Sequence, residues 1–340
     1  MQHQPLVSFC FTTYKREKYL QDTLQSILLQ SYQNFEVIVS DNDVEQSGKR
    51  VVEQVNDSRF KYFANEQNLG MKKSFNKSLE RSTGEYIVMI ADDDPVYPDM
   101  LETLVNLKNN HEGYGMYLGG SNYLFTHPVI AHLCKMRVGL NSCLADEKLD
   151  SIRLYKPREF LKDFFDLKIF PAYLWSVCMV KREIIVEKGG VPDYGTPFLG
   201  DYAYLSIMGS HSGCAVINRA LGHQTVHEQN FGRAQNEQLA KVGRNFPDYT
   251  SQKIQPIEDW TSIEKKMKHF VATWLVTHLT FLHNFYSVFQ NGEMDELKSA
   301  EREVFQLDLM KPFGRKYWLK KNLPFLHDAV VNVKRKFGSF

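Results

Sequence analysis

The feature that most constrains this chain is a hydrophobic period that switches back and forth through its first 125 residues. Apolar runs rich in β-branched and aromatic residues fill 6–11, 35–39, 60–63 and 86–90, and helix-patterned segments fill 18–30, 46–54 and 71–81. In the first helical segment Tyr19, Leu20, Leu24, Ile27 and Leu28 recur at the three-to-four-residue spacing of one helical face. Gly84 stands between the third helix and the next strand, where a helix-breaking residue is expected. Strands alternating with helices at this spacing predict parallel βαβ units with right-handed crossovers, hence an open α/β sheet. The rest is less regular. Residues 126–170 carry no sustained period and read as an insertion with one helix. Short apolar runs return at 174–180 and 214–218, and from about 257 the pattern is mostly helical.

Composition narrows the class. With 43% hydrophobic and 13% aromatic residues in 340, a disordered or fibrous chain is excluded. Five scattered cysteines without a C-x-x-C pair argue against a disulfide framework or a zinc–thiolate site and fit a reducing compartment. No basic segment leads into an apolar stretch at the N-terminus, so a signal peptide is not expected. The net charge of +1 conceals an asymmetry: residues 311–340 hold eight Lys or Arg and one acid, the rest 33 basic and 39 acidic groups. An excess confined to one end is not a nucleic-acid footprint. The uncharged stretch 270–291 contains His278, His283 and Asn284, polar groups costly in hydrocarbon, so a buried helix is expected there rather than a membrane span. In the tail, Leu326, Val330, Val333 and Phe337 share one helical face beside Lys334, Arg335 and Lys336, and Lys316-Tyr-Trp-Leu-Lys-Lys lies upstream. This segment reads either as a terminal helix packed on its own domain or as one lying on an anionic bilayer surface.

Ligands of open parallel sheets bind beyond the carboxyl ends of the strands. Four polar loops stand there: 12–16, 41–43, 65–70 and 92–94. The first contains no glycine, so the pyrophosphate turn of dinucleotide-binding folds is absent, and no P-loop occurs in the chain. Phosphates would need neutralising by other means. Asp92-Asp93-Asp94 offers one, because adjacent carboxylates repel by about 1–4 kcal/mol per close pair and a hard divalent ion removes that cost. The plain alternative is a solvated acidic turn ahead of the helix that begins near Pro98.

The blocks V-S-F-C-F-T-T-Y-K-R, S-I-L-L-Q-S-Y-Q-N-F-E-V-I-V-S-D-N-D, N-L-G and T-G-E-Y-I-V-M-I-A-D-D-D, in this order, resemble the family 2 glycosyltransferases of the GT-A fold. The likeness covers residues 5–104 and again about 176–232. It implies a Rossmann-like, open, mostly parallel α/β sheet flanked by helices, with a helical C-terminal extension. It also implies an inverting sugar transfer from a nucleotide diphosphate donor, with Mn2+ or Mg2+ as cofactor. By resemblance Thr12, Tyr14, Asn68, Lys73 and Asp92 fall among the nucleotide-binding residues, and Asp41 on the acid that meets the base, often uracil. Asp93 aligns best with the direct metal ligand, and Ala91 replaces the first Asp of the motif, which leaves open whether Asp92 or Asp94 assists. His227, in T-V-H-E-Q-N, is a further metal ligand, a phosphate contact or a surface histidine. Gly200-Asp201 stands where the family carries a Glu-Asp pair, which makes Asp201 the candidate catalytic base; an Asp there also suits a helix N-cap. Trp175, Tyr173 and Tyr194 fall in segments that build the acceptor side or else pack in the core.

The resulting expectation is a glycosyltransferase domain over 1–235, with a nucleotide-binding half 1–125 and an acceptor half of about 126–235, followed by a helical region 236–340. Its substrates would be a UDP-sugar and a glycan or lipid-linked glycan acceptor of capsule, O-antigen or another surface polysaccharide. The enzyme would be cytoplasmic, peripheral to the inner membrane face if the tail binds lipid. The rival readings are a nucleotide-sugar-binding protein of the same fold that has lost turnover, and a nucleotidyltransferase.

Overall fold

The computed structural model describes residues 3–134, 147–169, 175–227, 235–254, 256–289 and 294–322. Tyr173, Cys143 and the tail face from Leu326 to Phe337 lie outside them. The first half alternates as its periodicity predicts: β1 (Val7–Thr13), α1 (Glu17–Leu28), β2 (Phe35–Asp41), α2 (Lys49–Val55), β3 (Phe60–Ala64), α3 (Met71–Arg81), β4 (Tyr86–Ala91) and α4 (Met100–Asn110). Then follow β5 (Met116–Phe125), α5 (Pro128–Cys134), β6 (Ile152–Tyr155), α6 (Pro157–Phe165), β7 (Cys178–Lys181), α7 (Arg182–Glu187), α8 (Gly200–Ser212) and β8 (Cys214–Val226). The chain ends in α9 (Leu239–Lys253), α10 (Trp260–Phe289), α11 (Met294–Phe305) and α12 (Gly314–Asn322).

The eight strands form one sheet in the order β3-β2-β1-β4-β7-β5-β8-β6. The first four are parallel, β7 runs antiparallel between β4 and β5, β5 pairs parallel with β8, and β6 closes the far edge antiparallel. Alternate residues serve opposite faces. Val7, Phe9 and Phe11 pack with α1, α2 and α4, whereas Cys10, Ile87 and Met89 pack with α3, α6, α8 and the C-terminal helices. Because both faces are covered, the centres of β1, β2 and β4 are apolar on both sides, which is why they read as runs rather than as alternations. Fully burying side chains such as Phe75 or Leu79 is worth about 1.5–3 kcal/mol each, and α3 uses both to fix itself over β1 and β2.

Three expectations need correction. Residues 126–170 contain α5, β6 and α6 rather than one helix; three of the four β6 residues are exposed, so no hydrophobic pattern marks this edge strand. Strand β8 does not stop near 218 but runs to Val226, and its outer part pairs Asn122–Phe125 with His223–Val226. Gly84 lacks the left-handed conformation of a helix-terminating glycine. It is needed for close approach instead: a Cβ there would lie 2.7 Å from the Ser8 amide nitrogen and 2.9 Å from the Tyr86 carbonyl oxygen. The stretch from Phe270 falls inside α10, whose Phe270, Val271, Leu275 and Leu279 are buried in the shared core. Among the described residues, no helix is long and apolar enough to cross a membrane.

Candidate active site

Strands β2 and β3 lie on one side of β1 and β4 on the other. The loops leaving β1 and β4 meet at the carboxyl end of the sheet, where open α/β folds place their ligand crevice. Asp92, Asp93 and Asp94 stand at its base, only 6%, 9% and 6% exposed. They are not a solvated turn, and the N-cap of α4 is Asp99. Burial, and then the neighbouring charge of Asp93, push Asp92 up to about 7. The same two causes, with a smaller push from Asp201, hold Asp94 well above the ordinary carboxylate range.

Residues from four other segments converge on this triplet. Thr13 donates to Asp92 Oδ2 at 2.9 Å, and Thr23 on α1 donates to the Asp92 carbonyl at 2.9 Å. Arg16 Nη1 lies 2.9 Å from Asp93 Oδ2 and 3.3 Å from Asp92 Oδ1. His227 Nε2, delivered by the outer stretch of β8, lies 3.1 Å from the same Asp93 Oδ2, and its ring stacks on Tyr19 at 4.5 Å. His227 is 1% exposed, not a surface histidine. Asp94 faces other partners: Ser176 donates to its Oδ2 at 3.2 Å and the Thr225 amide to its Oδ1 at 3.3 Å. The structure thus joins Asp93 to His227 and leaves Asp94 fixing β8 and the turn before β7. Asp93 and His227 supply oxygen and imidazole donors on one side of a crevice. Such a pair could give a divalent ion two of its ligands, the rest coming from water and substrate phosphates.

The residues expected on the donor side are spread over the other strand ends. Thr12 donates to Ser74 on α3 at 2.6 Å, and Tyr14 is exposed at the rim. Lys73 is exposed at the start of α3, while Asn68 accepts from the Gly70 amide at 2.9 Å and shapes the turn into that helix. Lys72 is buried and donates to the Thr196 carbonyl at 2.6 Å and to Asp193 at 3.2 Å, over the Tyr194 ring. Asp41 lies deeper than these. It is fully buried, and it accepts from the Asp43 amide at 2.8 Å, the Gly48 amide at 2.9 Å and the Tyr62 hydroxyl at 2.9 Å. Through these bonds Asp41 holds the loop 42–48 from beneath.

Asp201 opens α8, one residue inside the helix, where its Oδ1 accepts from the Tyr202 amide at 3.0 Å. It is therefore in the first turn and not at the cap, which is Leu199. Leu199 has φ 56°, a left-handed conformation that costs a non-glycine residue about 1–2 kcal/mol. Burial pushes Asp201 up to about 7, against the two backbone amides that favour its ionised form. Trp175 and Tyr194 are core residues: Trp175 packs on Phe75 and Tyr204, and Tyr194 on Phe246 and Tyr249, with its hydroxyl on the Phe198 carbonyl. Sequence reasoning missed Arg16. The signal was a basic residue one loop away from three acids at the same end of the sheet.

Residues 8–187 match the family described as Glycosyl transferase family 2, and the chain belongs to that family. An uncharacterized glycosyltransferase of Haemophilus influenzae is 32% identical over 269 residues, 75% of this chain and 77% of that protein. The GalNAc(5)-diNAcBac-PP-undecaprenol beta-1,3-glucosyltransferase of Campylobacter jejuni is 33% identical over 118 residues, which span 34% of this chain but only 38% of that enzyme. Among solved structures, residues 1–349 of S. aureus TarS in complex with UDP-GlcNAc superpose with a TM-score of 0.60 at 15% identity, covering 89% of this chain and 81% of that one. The mannosyltransferase PcManGT from Pyrobaculum calidifontis, in complex with GDP-Man and Mn2+, gives 0.55 at 16% identity, covering 98% and 88%. These two likenesses establish the fold.

The placement of Asp41 has a measurable consequence. Asp41→Ala leaves two amides and a hydroxyl without their acceptor and should lower stability to urea by about 2–4 kcal/mol. An unchanged unfolding midpoint would show that the carboxylate is not holding the loop.

Proposed function

We propose that this glycosyltransferase moves a sugar, with inversion, from a UDP-sugar to a hydroxyl of a glycan or lipid-linked glycan in surface polysaccharide assembly. The observation that carries the reading is the meeting of Asp93 and His227, 134 positions apart, at 3.1 Å in the switch-point crevice. The donor reading is supported by TarS, solved with UDP-GlcNAc and with UDP, and the metal reading by PcManGT, solved with Mn2+. The acceptor reading is supported by the undecaprenol-linked glycan in the name of the Campylobacter relative.

In this reading residues 1–125 hold the donor and residues from about 126 to 235 present the acceptor. Thr12, Tyr14, Asn68, Lys73 and the loop held by Asp41 border the nucleotide, and Asp92 braces the loop that carries Asp93. Asp93 and His227 would hold Mn2+ or Mg2+, with Asp94 keeping β8 in position. When bound, such an ion supplies positive charge that stabilises a departing diphosphate. Asp201 takes the proton from the acceptor hydroxyl as its oxygen attacks the anomeric carbon. A carboxylate near pKa 7 is a stronger base than an ordinary one and is still about half ionised at neutral pH.

A panel of nucleotide sugars assayed for diphosphate release with Mn2+, Mg2+ or EDTA tests this. Turnover should require the metal. Asp93→Ala should abolish metal-dependent donor binding, and Asp201→Asn should keep donor binding while losing about 10²-fold or more in transfer. Because only the ionised base accepts a proton, the rate should fall about tenfold per pH unit below 7 and level off above it. No turnover of any donor under any metal condition would overturn the reading, and near-normal transfer by Asp201→Asn would overturn the base.

The acceptor reading extends to an anionic bilayer surface for the basic C-terminal region. On α12, Trp318 is 57% and Leu319 37% exposed, beside an exposed Arg315. The full chain should float with anionic liposomes and Trp318→Ser should float less; equal flotation of the two, or none, would remove the membrane from the picture.

A further inference from the structure

Three buried carboxylates crowd the base of the crevice, and the side chain that answers them is Arg16. Its Nη1 alone spans two of them, at 2.9 Å from Asp93 Oδ2 and 3.3 Å from Asp92 Oδ1. The neighbouring cation does not share this task, because Lys15 lies 4.0 Å from Asp43 and 3.9 Å from Glu45. The local backbone aims Arg16 inward: Lys15 takes φ 53°, and Arg16 follows as the N-cap of α1 without making a side-chain cap bond. The Arg16 side chain keeps 22% of its surface exposed, whereas the Asp93 side chain keeps 11% and that of His227 2%. The guanidinium therefore stands between a closed acidic floor and the open crevice.

One atom decides the consequence. Asp93 Oδ2 is the oxygen that Arg16 contacts, and it is also the oxygen that faces His227 Nε2. A divalent ion placed between Asp93 and His227 as they stand would meet this oxygen first. A guanidinium and a divalent cation on one carboxylate oxygen repel each other, and salt screens charges as buried as Asp93 only weakly.

Resting on the proposed metal-dependent reading, we propose that Arg16 is a resident counter-cation. It holds Asp92 and Asp93 in the donor-free enzyme and yields Asp93 Oδ2 when a divalent ion arrives, so it sets how tightly that ion binds. Arg16 is a positioning residue in this scheme. Its flexible stem and partial exposure let the head swing into the crevice, where an incoming diphosphate offers it a new partner. The enzyme is thereby kept from holding a free metal ion tightly before the donor is present, and the carboxylates never lack a cation.

The test is Mn2+ binding to the EDTA-stripped, full-length protein without nucleotide, read from the electron paramagnetic resonance signal of free Mn2+. Arg16→Gln should bind Mn2+ about tenfold or more tightly than the wild type. Its melting temperature should drop in the metal-free state and recover most of the loss at saturating Mn2+. If Arg16→Gln does not fold, Arg16→Lys carries the test, because its shorter, more strongly hydrated ammonium holds the two carboxylates less well than the guanidinium; its Mn2+ affinity should rise about threefold. An unchanged or weaker Kd in the folded variant, with clear binding by the wild type, overturns the role of Arg16 and leaves the metal reading standing. Absence of Mn2+ binding by wild type and variant alike overturns both.

Discussion

The burial of three consecutive carboxylates at the end of β4 is the constraint on which the rest of this site depends. Adjacent charges that have lost their water are unstable unless other groups restore what the solvent provided. The neighbouring elements are arranged to do so. β1 contributes Thr13, the start of α1 contributes Arg16 and Thr23, the turn before β7 contributes Ser176, and β8 contributes Thr225 and His227. Four segments, drawn from both ends of the domain, are thus tied to one short loop. Satisfying that loop also fixes β8, so the electrostatics of the acids and the unusual length of this strand share one cause.

The second carboxylate centre is set up differently. Asp201 is placed by a backbone device: a left-handed Leu199 and the start of α8, at the end of the loop 190–199. Helix α3 clamps that loop through Lys72 on Thr196 and Asp193 and through Asn76 on the Val191 amide. The helix that borders the proposed donor pocket therefore also holds the segment carrying the proposed base. Lys72 spends its charge on this clamp, and burial lowers its pKa against the pull of Asp193.

The first half of the chain was legible because its elements are local. Each parallel strand is a short apolar run, each crossover a periodic helix, and the helix expected over 71–81 is α3 to the residue. The triplet of acids was visible too, since strand ends in parallel sheets are where ligands bind. What escaped depends on long-range pairing. β6 is an exposed edge strand whose only reason to exist is β8, and the outer half of β8 mixes Gly222, His223 and Gln224 among its apolar residues. The contacts of Arg16 and the burial of His227 and Asp41 arise from side chains that meet across loops, for which no sequence period exists. Resemblance supplied Asp93, His227 and Asp201 as candidates, but it could not tell that Asp94 faces Ser176 and Thr225 while Asp93 faces His227.

Whether the acids and His227 form a metal-dependent donor site is read most directly from crystals grown with UDP and Mn2+, using the anomalous signal of manganese. One manganese peak is expected within about 2.3 Å of an Asp93 oxygen and of His227 Nε2, with the diphosphate on its open side. Bound UDP with no manganese at Asp93, or manganese on Asp94 in place of Asp93, would contradict the assignment.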